Sequence, residues 1–173
     1  MTITPERAAE RDDVLAKARA AKAVAPRLAT LPTPEKDALL HAAADELIAR
    51  TGDILAANQR DIEAGREAGL DEALIDRLAL SAERIEGIAS GLRQVAGLKD
   101  PVGEVLRGGT MPNGITMKQV RVPLGVMGMV YEARPNVTFD AFGLALKSGN
   151  VALLRGSKSA RQSNAALVGI LQD

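Results

Sequence analysis

The sequence has no cysteine, no tryptophan, one tyrosine, two phenylalanines and one histidine. Without cysteine, disulfides and thiolate metal sites are excluded, and the chain carries no thiol nucleophile of its own. With His41 alone, a metal site would need an all-carboxylate set, and no acidic spacing suggests one. Aromatics make up 2% of the chain. The core must therefore come from aliphatic side chains and alanine, which favours closely packed helices. Neither sign of charge is in excess, with Lys plus Arg at 22 and Asp plus Glu at 22. That balance excludes the basic footprint of a general nucleic-acid binder. No apolar run reaches the length of a membrane span. The start, Met1 to Arg11, is polar and charged, unlike a signal peptide. A cytoplasmic protein with no nucleic-acid or membrane partner is expected.

What remains is ample for a globular fold, with 46% hydrophobic residues in 173. Three segments differ in texture: 1–100, 101–122 and 123–173. The first reads as helices. Thr4-Pro5-Glu6 and Thr33-Pro34-Glu35 each combine a capping hydroxyl, an early proline and a first-turn acid. Val14, Ala18, Ala21 and Ala25 form a small apolar stripe, and Pro26 marks the region where that helix stops. A third helix starts near Asp53 with Leu55 and Ile62 on one face, Asp71 caps a short one, and Ser81 caps the clearest. In this last helix Ile85, Ile88, Ala89, Leu92, Val95 and Ala96 recur at helical spacing. The charged pairs between residues 60 and 86 read as solvated helix faces, and His41 as a surface residue.

At Asp100-Pro101 the pattern changes. Asn113-Gly114 is a strong hairpin signal and predicts a strand pair within 101–122. Val126 to Tyr131 is almost continuously apolar, which predicts a parallel strand covered on both faces. Pro135 can open a helix to Lys147, Gly149 suits a left-handed stop, and Val151 to Leu154 predicts a second parallel strand. Another helix begins near Ser159, with Ala166, Leu167 and Ile170 on its apolar side. The fold class is thus α/β: an N-terminal helical segment, a β-hairpin and the first βαβα unit of a Rossmann-like sheet. Ligands of such sheets bind beyond the carboxyl ends of the strands. One end here is Tyr131 to Asn136; the other is Arg155-Gly156-Ser157-Lys158, with two cations, a hydroxyl and a glycine beside a helix start. That loop suits a phosphate or phosphorylated ribose, or it is an ordinary solvated pair of charges. Gly125 and Gly128 do not have the spacing of a dinucleotide fingerprint.

The blocks Val122-Pro123-Leu124-Gly125-Val126, Val130-Tyr131-Glu132-Ala133-Arg134-Pro135-Asn136-Val137-Thr138, Leu146-Lys147-Ser148-Gly149-Asn150 and Leu154-Arg155-Gly156-Ser157-Lys158 closely resemble the gamma-glutamyl phosphate reductase family of the aldehyde dehydrogenase superfamily. Ala57 to Asp61, Gly69-Leu70 and Asp76 to Leu80 are similar to it as well, so the resemblance runs along nearly the whole chain. It implies an aldehyde-dehydrogenase-like fold and reduction of L-glutamyl 5-phosphate to glutamate 5-semialdehyde by NADPH in proline biosynthesis. The family's cysteine thiolate displaces phosphate, and hydride reduces the resulting thioester. The resemblance also implies a homo-oligomer and a functional link to glutamate 5-kinase. On the cofactor side it implies Val130, Tyr131, Glu132, Arg155, Gly156, Ser157 and Lys158. Arg155 falls where the superfamily places a lysine at the adenosine ribose, and Lys158 where NAD-dependent members carry a glutamate on the ribose hydroxyls. A cation there favours a 2′-phosphate, hence NADPH. The superfamily's oxyanion asparagine aligns with Glu132, a poor oxyanion donor, which leaves Asn136 as the substrate-side candidate. The family is much longer than this chain, and its cysteine and catalytic domain are expected downstream, so these residues alone are expected to be inactive. The alternative is a non-catalytic nucleotide-binding or assembly fragment of the same fold. Another acyl-phosphate or aldehyde-using member of the superfamily is disfavoured by the Tyr131 to Asn136 block.

Overall fold

The structure, a computed structural model, describes the backbone of residues 5–172 and side chains from residue 7. The elements run α1 (Pro5–Ala29), α2 (Thr33–Ala49), α3 (Thr51–Glu67), α4 (Glu72–Leu78), α5 (Ala82–Ala96), β1 (Val105–Thr110), β2 (Thr116–Val120), β3 (Val126–Val130), α6 (Val137–Lys147), β4 (Val151–Arg155), a 3-10 turn (Lys158–Ala160) and α7 (Arg161–Ile170). Helices, hairpin and crossover unit appear in the expected order. β1 and β2 pair antiparallel around the Asn113-Gly114 turn, and β3 pairs parallel with β4, Val126 opposite Val151 and Val130 opposite Arg155. No helix among the described residues is long and apolar enough to cross a membrane.

Local signals mostly locate the helix starts. The Asp71 side chain accepts from Leu74 N at 2.7 Å, and Ser81 Oγ from Arg84 N at 3.1 Å. Ile85, Ile88, Ala89, Leu92 and Ala96 are buried, and α5 lays this stripe against Leu40, Ala43, Ala44 and Leu47 of α2. Phe139 and Leu146 of α6 and Leu167 and Ile170 of α7 enter the same cluster, so one core joins the helical part to the crossover unit. Gly149 closes α6 at φ +71, and a Cβ there would meet Pro123 Cγ at 2.9 Å, so both conformation and space require glycine.

Several expectations need correction. Thr4 lies outside the described residues. Pro26 does lie close to the end of its helix, as expected: α1 runs three residues further, to Ala29. Of the α1 stripe, Ala18, Ala21 and Ala25 are half-buried, but Val14 is exposed. Thr33 does not cap α2; it is the first helical residue, and its hydroxyl donates to Asp100 Oδ2 at 2.8 Å. Asp61 is not solvated: it is 5% exposed and bonds to α7. β3 is not covered on both faces. Met129 is exposed and Val130 is 83% exposed. The apolar run gave strand type and pairing correctly, but β3 has only β4 beside it here.

Two lysines tie the layers together. Lys36 of α2 is 1% exposed; its ammonium donates to Asp100 Oδ2 at 2.9 Å and the Lys147 carbonyl at 3.5 Å. Lys147 of α6 is 4% exposed and donates to Asp37 Oδ1 at 2.6 Å and the Ala96 carbonyl at 2.7 Å. The two contacts cross, fastening α6 to α2 and to the end of α5. For Asp100, burial pushes the carboxyl up, but hydrogen bonds from Lys36, Val102 N and Thr33, with the Lys36 charge, outweigh this and hold it below its ordinary value.

Asp100→Ala leaves a buried ammonium without its counter-ion and is expected to cost about 3 kcal/mol in urea unfolding. Glu104→Ala, which opens the surface pairs with Lys99 and Arg121, should move the urea midpoint far less than Asp100→Ala. Because the folded carboxyl of Asp100 titrates low, its contribution is complete above the ordinary aspartate range, about pH 4, and disappears as pH falls through the lower folded value. A stability–pH curve in which wild type and Asp100→Asn stay parallel through this acid range would remove that assignment. The open edges of β3 and β4 and the exposed Val122, Leu124 and Val130 also predict self-association of the isolated chain. Light scattering should show mass rising with concentration; a monomer at every concentration would argue that these edges are protected.

Candidate functional site

β3 and β4 end side by side, and the segments that follow them build two clefts. Tyr131 N donates to the Arg155 carbonyl at 3.1 Å, extending the pairing one step past β3. Beyond it the chain bends at Ala133, which is 3% exposed and holds φ +44, a left-handed conformation rare for a residue with a Cβ. Its N–H donates to Ser157 Oγ at 3.2 Å, and that hydroxyl also meets Ser159 Oγ at 2.7 Å. The two strand-end loops are therefore tied together.

The first cleft, about 470 Å³, is lined by Val130, Tyr131, Glu132, Arg155, Gly156 and Ser157. The structure thus brings together six of the residues singled out on the cofactor side. Lys158 is exposed at the start of the 3-10 turn and does not line this cleft. Arg155 donates to the Gly156 carbonyl beside it. Tyr131 is half-buried, with its hydroxyl 2.6 Å from Thr138 Oγ1. Thr138 donates to Asn164 Oδ1 at 3.3 Å, which uses its one hydroxyl hydrogen and makes Tyr131 the donor in the pair. A Cβ on Gly156 would stand 2.2 Å from Asn164 Nδ2, so glycine lets the loop lie against α7. Asp61 then fixes the start of α7: its carboxylate accepts from Gln162 N at 3.1 Å, Ser163 N at 2.7 Å and Ser163 Oγ at 2.7 Å. Asn58, a turn earlier on α3, donates to Ser163 Oγ at 3.0 Å and the Leu78 carbonyl at 2.8 Å.

The second cleft, about 460 Å³, lies between α4, α5 and the segment after Ala133. Its lining includes Asp76, Arg77, Arg84, Arg134, Asn136 and Asp140. Asn136, the substrate-side candidate, is here and not in the first cleft. Its Nδ2 donates to Asp140 Oδ2 at 3.1 Å. Desolvation against the cleft wall pushes the Asp140 carboxyl above its ordinary value, and the Asn136 bond only partly offsets this. Pattern reading missed the bonds of Thr138 to Asn164 and of Asp61 to Ser163, which span 26 and 102 positions. It also missed the left-handed Ala133, because glycine and asparagine are the residues that announce this conformation. Among the described residues, no cluster of His, Asp and Glu could hold a metal ion.

Ala133→Gly removes the Cβ penalty at no loss of packing contacts beyond a methyl and is expected to leave the melting temperature unchanged or raised. Ala133→Val places a branched side chain at the same φ in a buried position and should lose about 2 kcal/mol or more. Thermal unfolding of both variants decides this; equal loss in the two would mean that the bend is unstrained.

Comparison with known proteins places this geometry. The model of the aldehyde dehydrogenase family matches residues 2–173. The crystal structure of gamma-glutamyl phosphate reductase from Thermotoga maritima is 43% identical, with a TM-score of 0.89 over 92% of this chain and 38% of that one. The crystal structure of gamma-glutamyl phosphate reductase from Saccharomyces cerevisiae is 29% identical, with a TM-score of 0.82 over 98% of this chain and 41% of that one. The chain therefore spans about two fifths of the length of these reductases. A family match along nearly the full chain, with this identity and backbone agreement, shows that the chain belongs to the aldehyde dehydrogenase family and has the incomplete fold of a gamma-glutamyl phosphate reductase-like member.

Proposed function

We propose that these residues form the cofactor-binding part of an enzyme that reduces L-glutamyl 5-phosphate to L-glutamate 5-semialdehyde with NADPH, in cytoplasmic proline biosynthesis. The observation that carries the reading is the convergence of Val130, Tyr131, Glu132, Arg155, Gly156 and Ser157 on one cleft at the ends of two parallel strands, in a chain 43% identical to such a reductase. This lining fits a dinucleotide. Val130 offers an exposed apolar surface for a planar ring, and Gly156 brings backbone to the rim. Arg155 offers a guanidinium for a phosphate and, with Lys158 three residues on, supports preference for the 2′-phosphate of NADPH. NADPH supplies the hydride. This chain's residues hold and orient the carrier and, through the hydrogen bond from Tyr131 to Thr138, keep the cleft wall fixed against α6.

A sequence with no cysteine offers no thiolate for acyl transfer, so in this reading the nucleophile belongs to residues outside these 173. The same fact fits one alternative equally well, a nucleotide-binding or assembly fragment without chemistry. A homo-oligomer and a link to the kinase that makes glutamyl phosphate follow from the reductase reading.

Titration of nicotinamide fluorescence should show NADPH binding more tightly than NADH, with Arg155→Ala weakening NADPH about tenfold and NADH little. Equal affinity for the two would sink the NADPH assignment. Activity is the separate arm. NADPH oxidation dependent on glutamyl phosphate, by a protein extended to the length of its relatives, supports the reductase; nucleotide binding with no such activity supports the fragment.

A further inference from the structure

From the end of β3 onward the residues divide between two clefts. Val130, Tyr131 and Glu132 line one, while Arg134 and Asn136 line the other. Between them stands Ala133, buried, left-handed and tied to Ser157. The backbone reversal at this residue turns its neighbours to opposite sides, so one short segment partitions the two spaces.

The charges in the second cleft are unevenly matched. Arg84 is committed: it pairs with Asp76 at 3.0 Å and donates to the carbonyls of Asp76 and Ala79, both at 2.7 Å. Among the described residues, the guanidinium groups of Arg77 and Arg134 make no hydrogen bond or ion pair. Asp140, the carboxylate left on that wall, is already engaged by Asn136. Asn136 keeps a second amide hydrogen for a ligand. Both are planar, permanently charged forks on one cleft, and such a fork can grip an oxyanion through two N–H donors.

We propose that the cleft between α4, α5 and residues 134–140 is an anion site that takes the carboxylate or phosphoryl end of a small acidic molecule through Arg77 and Arg134. Asn136 and Asp140, hydrogen-bonded to each other, line the same cleft, and Ala133 stands between it and the nucleotide cleft. Naming the acid as a glutamyl phosphate rests on the reductase reading; the anion site itself rests on the cleft.

The test is a titration of the folded 173-residue chain with inorganic phosphate and, separately, with L-glutamate, at constant ionic strength, followed by amide resonances. Saturable shifts confined to residues around 77, 134, 136 and 140 are expected from phosphate. Arg77→Ala and Arg134→Ala should each weaken them about tenfold, since a charge-assisted hydrogen bond is lost. Arg134→Lys, which keeps the charge and loses the fork, should fall between wild type and Arg134→Ala and guards against misfolding of the alanine variant. Lys118→Ala, on the exposed hairpin, should change nothing. Shifts scattered over surface lysines, or unchanged in both arginine variants, would overturn the site. Phosphate binding without displacement by glutamate supports a phosphoryl site, and glutamate binding alone a carboxylate site. NADPH added to the same samples reports on the first cleft, so failure of the nucleotide reading shows there and leaves the anion result separate.

Discussion

A carboxylate withdrawn from water needs donors, and Asp61 finds them at the start of α7, in two backbone N–H groups and the Ser163 hydroxyl. This is a helix cap supplied from another helix. It fixes where α7 begins, and so where the Arg155 to Lys158 loop must run between β4 and α7. Asn58 works from the same face of α3 and takes both the Leu78 carbonyl and the Leu80 N–H, which locks the joint between α4 and α5. One polar edge of one helix thus positions a wall of each cleft.

The crossed lysines do the same for the other half. Lys147 stands at the end of α6, the helix that follows Ala133, and its ammonium is held by Asp37 and the end of α5. Lys36 completes the pair through Asp100, at the point where the helical part hands over to the hairpin. Buried ammonium groups contribute little net stability over an apolar alternative, yet they tolerate only one arrangement of their partners. Their effect here is to fix the register of α6 against α2 and α5. With α6 and α7 both anchored, the two strand ends can meet at a bend that stores strain at Ala133.

The hairpin and the β3–β4 pair belong to a different regime. The hairpin is exposed along both strands, including Leu106 and Met117, whereas β3 and β4 are half-buried and become exposed toward their ends at Met129, Val130 and Arg155. Such apolar strands are ordinarily covered, and the reductases that share this fold are more than twice as long. The helical core is closed by its own residues, whereas the sheet presents surfaces suited to further packing.

Much was legible in the sequence because it depends on nearest neighbours along the chain. The caps at Asp71 and Ser81, the α5 stripe, the Asn113-Gly114 turn, the stop at Gly149 and the strand–helix–strand order each follow from local propensity and periodicity. The family resemblance, carried by the blocks from Val122 to Lys158, brought Val130 to Glu132 and Arg155 to Ser157 forward together. Tertiary structure alone decided the rest. Asp61 looks like any charged residue of a polar helix until Ser163, 102 positions later, is placed against it. Thr33 looks like a cap until Asp100 draws its hydroxyl away. Whether a charge is solvated or buried, and which side of a bend a side chain faces, depends on contacts that no short window contains. Sequence determined the elements and their order; packing determined that Arg134 and Asn136 would turn from the first cleft into the second.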